Sequence, residues 1–269
     1  MLAHQAGLPV IDRPLGLGDL NGSRTLSRAL AEQRPAWEPG TRHGYHGQSL
    51  GWYESELVSR IDPGKRRIGR FFADEVAAPL GLGFHFGLPQ DTDLDRVARI
   101  QGFRPWEVML HLRAMPVSFV RAYANPRSLS ARAFGNPRVL GTVENFNRPD
   151  VQAAEIPAAN GVGQVWSIAK LYGEVATGGA ALGLTDATMD ALRVAAPPPT
   201  NGLFDGCCAS IRGSPWGTSS RSRRSGSAPR RSGPSARWAW AGRLRRPGYR
   251  YGLRVRDEPH WISALGRSS

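Results

Sequence analysis

Charge and turn punctuation both change at Gly206, and that change confines any cooperatively folded body to the chain before it. Residues 1–206 carry 21 basic and 20 acidic side chains, a net charge of +1, whereas residues 207–269 carry 14 Arg and 2 acids, a net charge of +12. From Cys207 onward, "CCASIRGSPWGTSSRSRRSGSAPRRSGPSARWAWAGRLRRPG" shows neither a helical nor an alternating hydrophobic period, and Arg, Ser, Gly and Pro dominate it. Such a composition buries too little apolar surface to offset the entropy of ordering, so residues 207–269 are predicted to be a disordered, solvated basic tail. Phosphate neutralisation by its arginines makes a basic nucleic-acid-binding protein the alternative reading, although no specific nucleic acid is expected.

Before Gly206, periodic segments alternate with turn signals. The spacing predicts amphipathic helices over residues 23–33, 45–61, 67–82 and 163–179, with Pro79 and Gly81 stopping the third and glycines closing the fourth. In the second, Leu50, Tyr53, Leu57 and Ile61 recur at spacings of three and four. Residues 37–45, "WEPGTRHGY", read as a loop with a Pro-Gly turn that presents Tyr45 at the start of that helix. Residues 114–150 read as long and irregular, and strand signals are sparse.

The two cysteines, Cys207 and Cys208, are adjacent, so they cannot easily staple a loop, and neither has a partner pair at zinc-ligand spacing. Neither a disulfide framework nor a metal site follows, and nothing asks for a cofactor. No window reaches 18 apolar residues, and "MLAHQAGLPVIDRPLG" has neither a basic start nor an apolar run, so no membrane span or signal peptide is expected and a cytoplasmic location is the default.

Four stretches in order, "HQAGLPV" (4–10), "WEPGTRHGYHGQSLGW" (37–52), "FFADEVAAPLGLGFHFGLP" (71–89) and "IPAANGVGQVWSIAKLYGEVATGG" (156–179), resemble the serine β-lactamase-like esterases. These are relatives of class C β-lactamases and penicillin-binding proteins, of a type common in actinobacteria. The resemblance runs over nearly all of residues 1–206 and implies an α+β fold, a β-lactamase/transpeptidase-like architecture of which this chain holds mainly the helical region. It also implies hydrolysis of a small carboxylic ester through an acyl-serine intermediate. In that family the nucleophile sits in a Ser-x-x-Lys motif at the start of a buried helix, where a desolvated lysine acts as general base. A tyrosine then relays the proton to the leaving group, while two backbone N–H groups hold the oxyanion. Tyr45 falls on the tyrosine position. Gly47 stands where β-lactamases have Asn, which favours an esterase. Because the family works with lysine and tyrosine, His4 and His46 are read as structural.

The pattern breaks at both ends. The family's Ser-x-x-Lys lies upstream of "HQAGLP", so this chain reads as N-terminally truncated and without its nucleophile. Lys65 and Lys170 are the only lysines, which leaves Ser167-Ile168-Ala169-Lys170 as the one Ser-x-x-Lys, and it falls after the tyrosine motif in a helix that carries no chemistry in the family. The C-terminal strands, with the oxyanion strand among them, are not recognisable. Codons able to encode residues 207–221 are compatible, one nucleotide out of frame, with the strand-like peptide VLRVDTRFSLGYIKP. Those for 249–261 are compatible in the remaining frame with IGMAYAYVMNRTG. Residues 207–269 therefore read as an out-of-frame tail, and 33 Arg against 2 Lys suits a GC-rich gene. A helical region without its sheet forfeits about 25 cal/mol for each Å² of apolar surface left uncovered, against a typical net stability of about 5–15 kcal/mol. The expectation is an inactive, partly folded remnant.

Overall fold

The computed structural model describes residues 1–102, 117–208 and 210–211, the last two by backbone alone. The 207–269 tail assignment falls almost wholly outside the described residues.

Helix α1 (Arg24–Glu32) opens at Ser23, whose hydroxyl accepts the N–H of Leu26 and so satisfies one of the free donors of the first turn. Its Leu26, Ala29 and Leu30 form the buried stripe. Helix α2 (Ser49–Ile61) begins four residues after Tyr45, which lies in the preceding loop and not at the helix start. Residue 43 is held in an extended bridge with residue 205, which keeps the chain before Tyr45 out of the helix. The stripe expected on α2 is also displaced. Leu57 and Ile61 face solvent at 55% and 78% exposure, while Gly51, Trp52 and Ser55 are buried. Gly51 decides this, because a Cβ there would stand 2.6 Å from the backbone N of Ala158, so only the glycine face can approach that loop.

Helix α3 (Ile68–Phe72) runs into a π-helical stretch (Ala73–Ala77) and then α4 (Ala78–Leu80). The widened turn adjoins Pro79, which has no N–H to continue the α-helical ladder. Gly81, with φ 58°, ends the run in the left-handed region that glycine adopts freely. Strand β1 (Phe84–Phe86) pairs antiparallel with β2 (Gly161–Gly163), and the Phe84 and Phe86 rings pack edge-on with Phe72. Residues 117–150 are more regular than the sequence suggests, with α5 (Val117–Ala124), α6 (Leu129–Phe134), two 3₁₀ turns and the start of α7 (Pro149–Ala153). Residues 114–116 of that segment lie outside the described residues. Helix α8 (Val165–Ala176) and helix α9 (Asp186–Arg193) follow, and β3 (Phe204–Asp205) pairs with β4 (Ser210–Ile211). The hairpin crosses Gly206, where the sequence places the end of the domain.

The main core joins Ile11, Leu15 and Leu20 to the α1 stripe, Trp52, Leu140, Val151 and Ile156. Glu155 locks α2 to α3: its carboxylate accepts the Ser55 hydroxyl at 2.6 Å, the Arg67 Nε–H at 3.2 Å and the Gly69 N–H at 3.1 Å. Helix α8 buries Ser167 and leaves Val165, Trp166, Ile168 and Tyr172 at 82%, 51%, 41% and 67% exposure. Among the described residues no helix is long and apolar enough to cross a membrane.

Candidate functional site

Tyr45 stands 41% exposed between the N-terminal segment and α6, its ring 5.0 Å from that of His4 and 6.2 Å from that of Phe134. Partial burial raises its pKa above the ordinary phenol value, and the Cys208 thiol and Asp205 carboxylate act in the same direction. All three favour the neutral phenol, so Tyr45 holds its proton near neutral pH.

The loop that carries Tyr45 is fastened from the far end of the chain. Asp205 Oδ1 accepts the backbone N–H groups of Tyr45 at 3.2 Å, Cys207 at 2.8 Å and Cys208 at 2.8 Å. His43 Nδ1 lies 2.9 Å from Asp205 Oδ2, but the ring N–H is not aimed along that line, so this is a close polar contact and not an aligned hydrogen bond. The two backbones form a parallel bridge, with the Gly206 N–H donating to His43 O at 3.0 Å. Burial opposes the charge on Asp205, yet the His43 ring and the backbone N–H groups outweigh it and hold the carboxyl down at about 2. Cys207 is fully buried against Val10 and Ala133, and the Ser130 hydroxyl donates to its carbonyl at 2.5 Å. Burial raises the Cys207 thiol pKa, and burial with the Asp205 charge pushes Cys208 up to about 11, so neither is a ready thiolate.

His4 and His46 do structural work around the same loop. The His46 N–H donates to His4 Nδ1 at 3.2 Å, and His46 Nε2 accepts the Leu8 N–H at 3.1 Å. With Nε2 accepting, the ring carries its proton on Nδ1 and donates it to Gly44 O at 2.7 Å. Burial is the main cause that brings its pKa down to about 4, which keeps the imidazole neutral. The rings of His4 and His43 are 5.8 Å apart, yet no group of three or more His, Cys, Asp or Glu among the described residues is placed to hold a metal ion.

Ser167 and Lys170 stand in different surroundings. Ser167 is 1% exposed and its hydroxyl accepts the Gly83 N–H at 3.1 Å. Lys170 is exposed, its Nζ 6.0 Å from the centre of the Trp166 ring. Gly47 faces Phe134 so closely that a Cβ would stand 2.4 Å from the ring. The sequence singles out Tyr45 and not His43 or Asp205, which the fold brings to the same loop. His43 lies inside the quoted tyrosine motif, while Asp205 sits at the edge of the compositional break, 160 residues from Tyr45, with no local pattern to mark it.

The family model described as Beta-lactamase matches residues 1–267. The esterase/beta-lactamase LipL of Mycobacterium tuberculosis is 31% identical over 184 residues, covering 66% of this chain and 40% of that protein. A family VIII carboxylesterase of solved structure is similar at 29% identity with a TM-score of 0.50, over 66% of this chain and 42% of its own. A penicillin-binding protein homolog from Caulobacter crescentus matches at 27% identity with a TM-score of 0.54, over 80% of this chain and 54% of its own. The chain thus spans about half the length of these relatives or less. Its neighbours have the β-lactamase/transpeptidase-like α+β fold, in agreement with the class read from the sequence.

Proposed function

The chain belongs to the beta-lactamase family, and from that premise we propose that it is the tyrosine-bearing helical part of a serine hydrolase for small carboxylic esters, with Tyr45 as the proton relay. The observation that carries the reading is the half-exposed Tyr45 phenol, on a loop tied down by Asp205 and in surroundings that keep it protonated. A protonated phenol at that place delivers its proton to the departing alkoxide once a serine has attacked the ester carbonyl. Gly47 favours esters over β-lactams, because Phe134 fills the space that a side chain at 47 would use.

On this reading Ser167-Ile168-Ala169-Lys170, the one Ser-x-x-Lys of the sequence, does not supply the nucleophile and its base: Ser167 is engaged with Gly83, and Lys170 is exposed beside Trp166. By itself the chain turns over no ester. Purified protein is expected to leave p-nitrophenyl butyrate and nitrocefin at their buffer rates. Turnover that disappears in Tyr45→Phe would overturn the inactivity and keep the role of Tyr45; turnover indifferent to Tyr45→Phe would overturn both.

The out-of-frame reading of residues 207–269 rests on the back-read codons of 207–221 and 249–261; residue 207 itself is buried beside Val10 and Ala133. One uninterrupted frame across the Gly206 codon in the resequenced locus, aligned without insertion or deletion to its relatives, would remove that reading.

A further inference from the structure

The Tyr45 ring is too exposed for packing alone to fix it, so its orientation depends on the backbone beneath it. At Tyr45 itself that backbone donates to a carboxylate. The Asp205 side chain, 8% exposed, receives three N–H groups on Oδ1 and faces His43 on Oδ2, and one of the three N–H groups is that of Tyr45 itself. A buried carboxylate with so many partners has a single favourable position, and moving it would strip hydrogen bonds from two segments at once. Since the other two N–H groups belong to Cys207 and Cys208, the carboxylate welds residues 43–45 to the β3–β4 hairpin.

We propose that Asp205 is a positioning residue for Tyr45: its carboxylate, seated by His43 and by the hairpin N–H groups, holds the Tyr45 backbone and places a fixed negative charge at the backbone end of that residue. The inference rests on the reading of Tyr45 as the acid–base group. The hairpin thereby fixes where the Tyr45 backbone stands and adds to burial, the larger cause, in keeping the phenol protonated. Among the described residues the titratable groups that face Tyr45 are His4 from the N-terminal segment and Asp205 and Cys208 from the hairpin region, with Phe134 closing the side of α6.

The test uses the full chain with ¹³C at tyrosine Cζ, Tyr45→Phe to assign the signal, and the variants Asp205→Asn and Asp205→Ala. Amide exchange at residue 45 is expected to quicken at least tenfold in Asp205→Ala and to be largely restored in Asp205→Asn, which keeps an acceptor oxygen. The Tyr45 phenol is expected to titrate at lower pH in Asp205→Asn than in the wild type, a change that a purely structural role would not produce. Should Asp205→Ala fail to fold, the phenol titration in Asp205→Asn decides. An unchanged midpoint there, or residue 45 exchange unaffected in a folded Asp205→Ala, overturns the proposal. Failure of the Tyr45 reading shows separately, as hydrolysis indifferent to Tyr45→Phe, and leaves these two readouts standing.

Discussion

The Ser167 hydroxyl accepts the backbone N–H of Gly83 at 3.1 Å, joining α8 to the segment that leads into β1. A serine committed in this way is a structural acceptor. Ser167→Ala is expected to leave the Gly83 N–H unpaired and to cost about 1–2 kcal/mol in urea unfolding. Labelling by a fluorophosphonate probe should be equally absent from wild type and variant; labelling that maps to Ser167 would restore it as a nucleophile.

His46 makes stability depend on pH. Its folded pKa of about 4 lies below the ordinary 6.5, so the unfolded chain takes up a proton at a higher pH than the folded one. The stability associated with neutral His46 is complete above about pH 6.5, declines as the pH falls from there, and is lost once the folded pKa near 4 is passed, a change of about 3 kcal/mol. In His46→Gln that slope should disappear, with lower stability at pH 7 because the Nδ1–H bond to Gly44 O goes with it. Urea midpoints from pH 7 to 4 check this: a variant with the wild-type slope places the titration elsewhere.

What the sequence made legible was local. Ser23 before a run with Leu26, Ala29 and Leu30 on one face specifies α1 almost to the residue, because cap and stripe lie within a dozen positions. The Pro-Gly turn likewise marked the loop of Tyr45. The α2 stripe misled, since Leu57 and Ile61 fit a helical period while the packing is set by Gly51 against Ala158, a close approach invisible to periodicity. Strand β2 was hidden because its paired residues include Gly161 and Gly163, which weaken any strand signal; the Phe84 ring covers both. The contact of His43 with Asp205 had no signal at all, as it depends on the fold bringing distant segments together.

Asn160 concentrates three bonds in one buried carboxamide. Its Nδ2 donates to Val151 O at 3.0 Å and to Ala154 O at 2.6 Å, while Oδ1 accepts the Ile156 N–H at 3.1 Å. It thereby folds residues 151–160 back on themselves beside Val151 and Ile156, both in the main core. Asn160→Ala is expected to lose about 3 kcal/mol or more, since each buried group left unpaired costs about 1–3 kcal/mol. Asn160→Asp should recover only part of it, because a carboxylate can accept from Ile156 but cannot donate to the two carbonyls. Full recovery in thermal unfolding would show that the donors carry little.

Gly47 lies against Phe134 with no room for a side chain. A Cβ at this position would stand 2.4 Å from the Phe134 ring, and that ring lies 6.2 Å from Tyr45. Installing the side chain that β-lactamases carry here therefore pushes Phe134 away from the phenol and does not simply add a polar group beside it. Gly47→Asn should be destabilised by about 1–3 kcal/mol, as for other overpacked interiors. It should also bring no nitrocefin turnover. Pairing it with Phe134→Ala removes the obstructing ring, so the double variant should suffer less from the asparagine than the single change does. Measured as a double-mutant cycle in urea, the coupling between 47 and 134 should be favourable by about 1 kcal/mol or more. Additive costs would mean that Phe134 yields without resistance and that Gly47 is not what keeps the asparagine out.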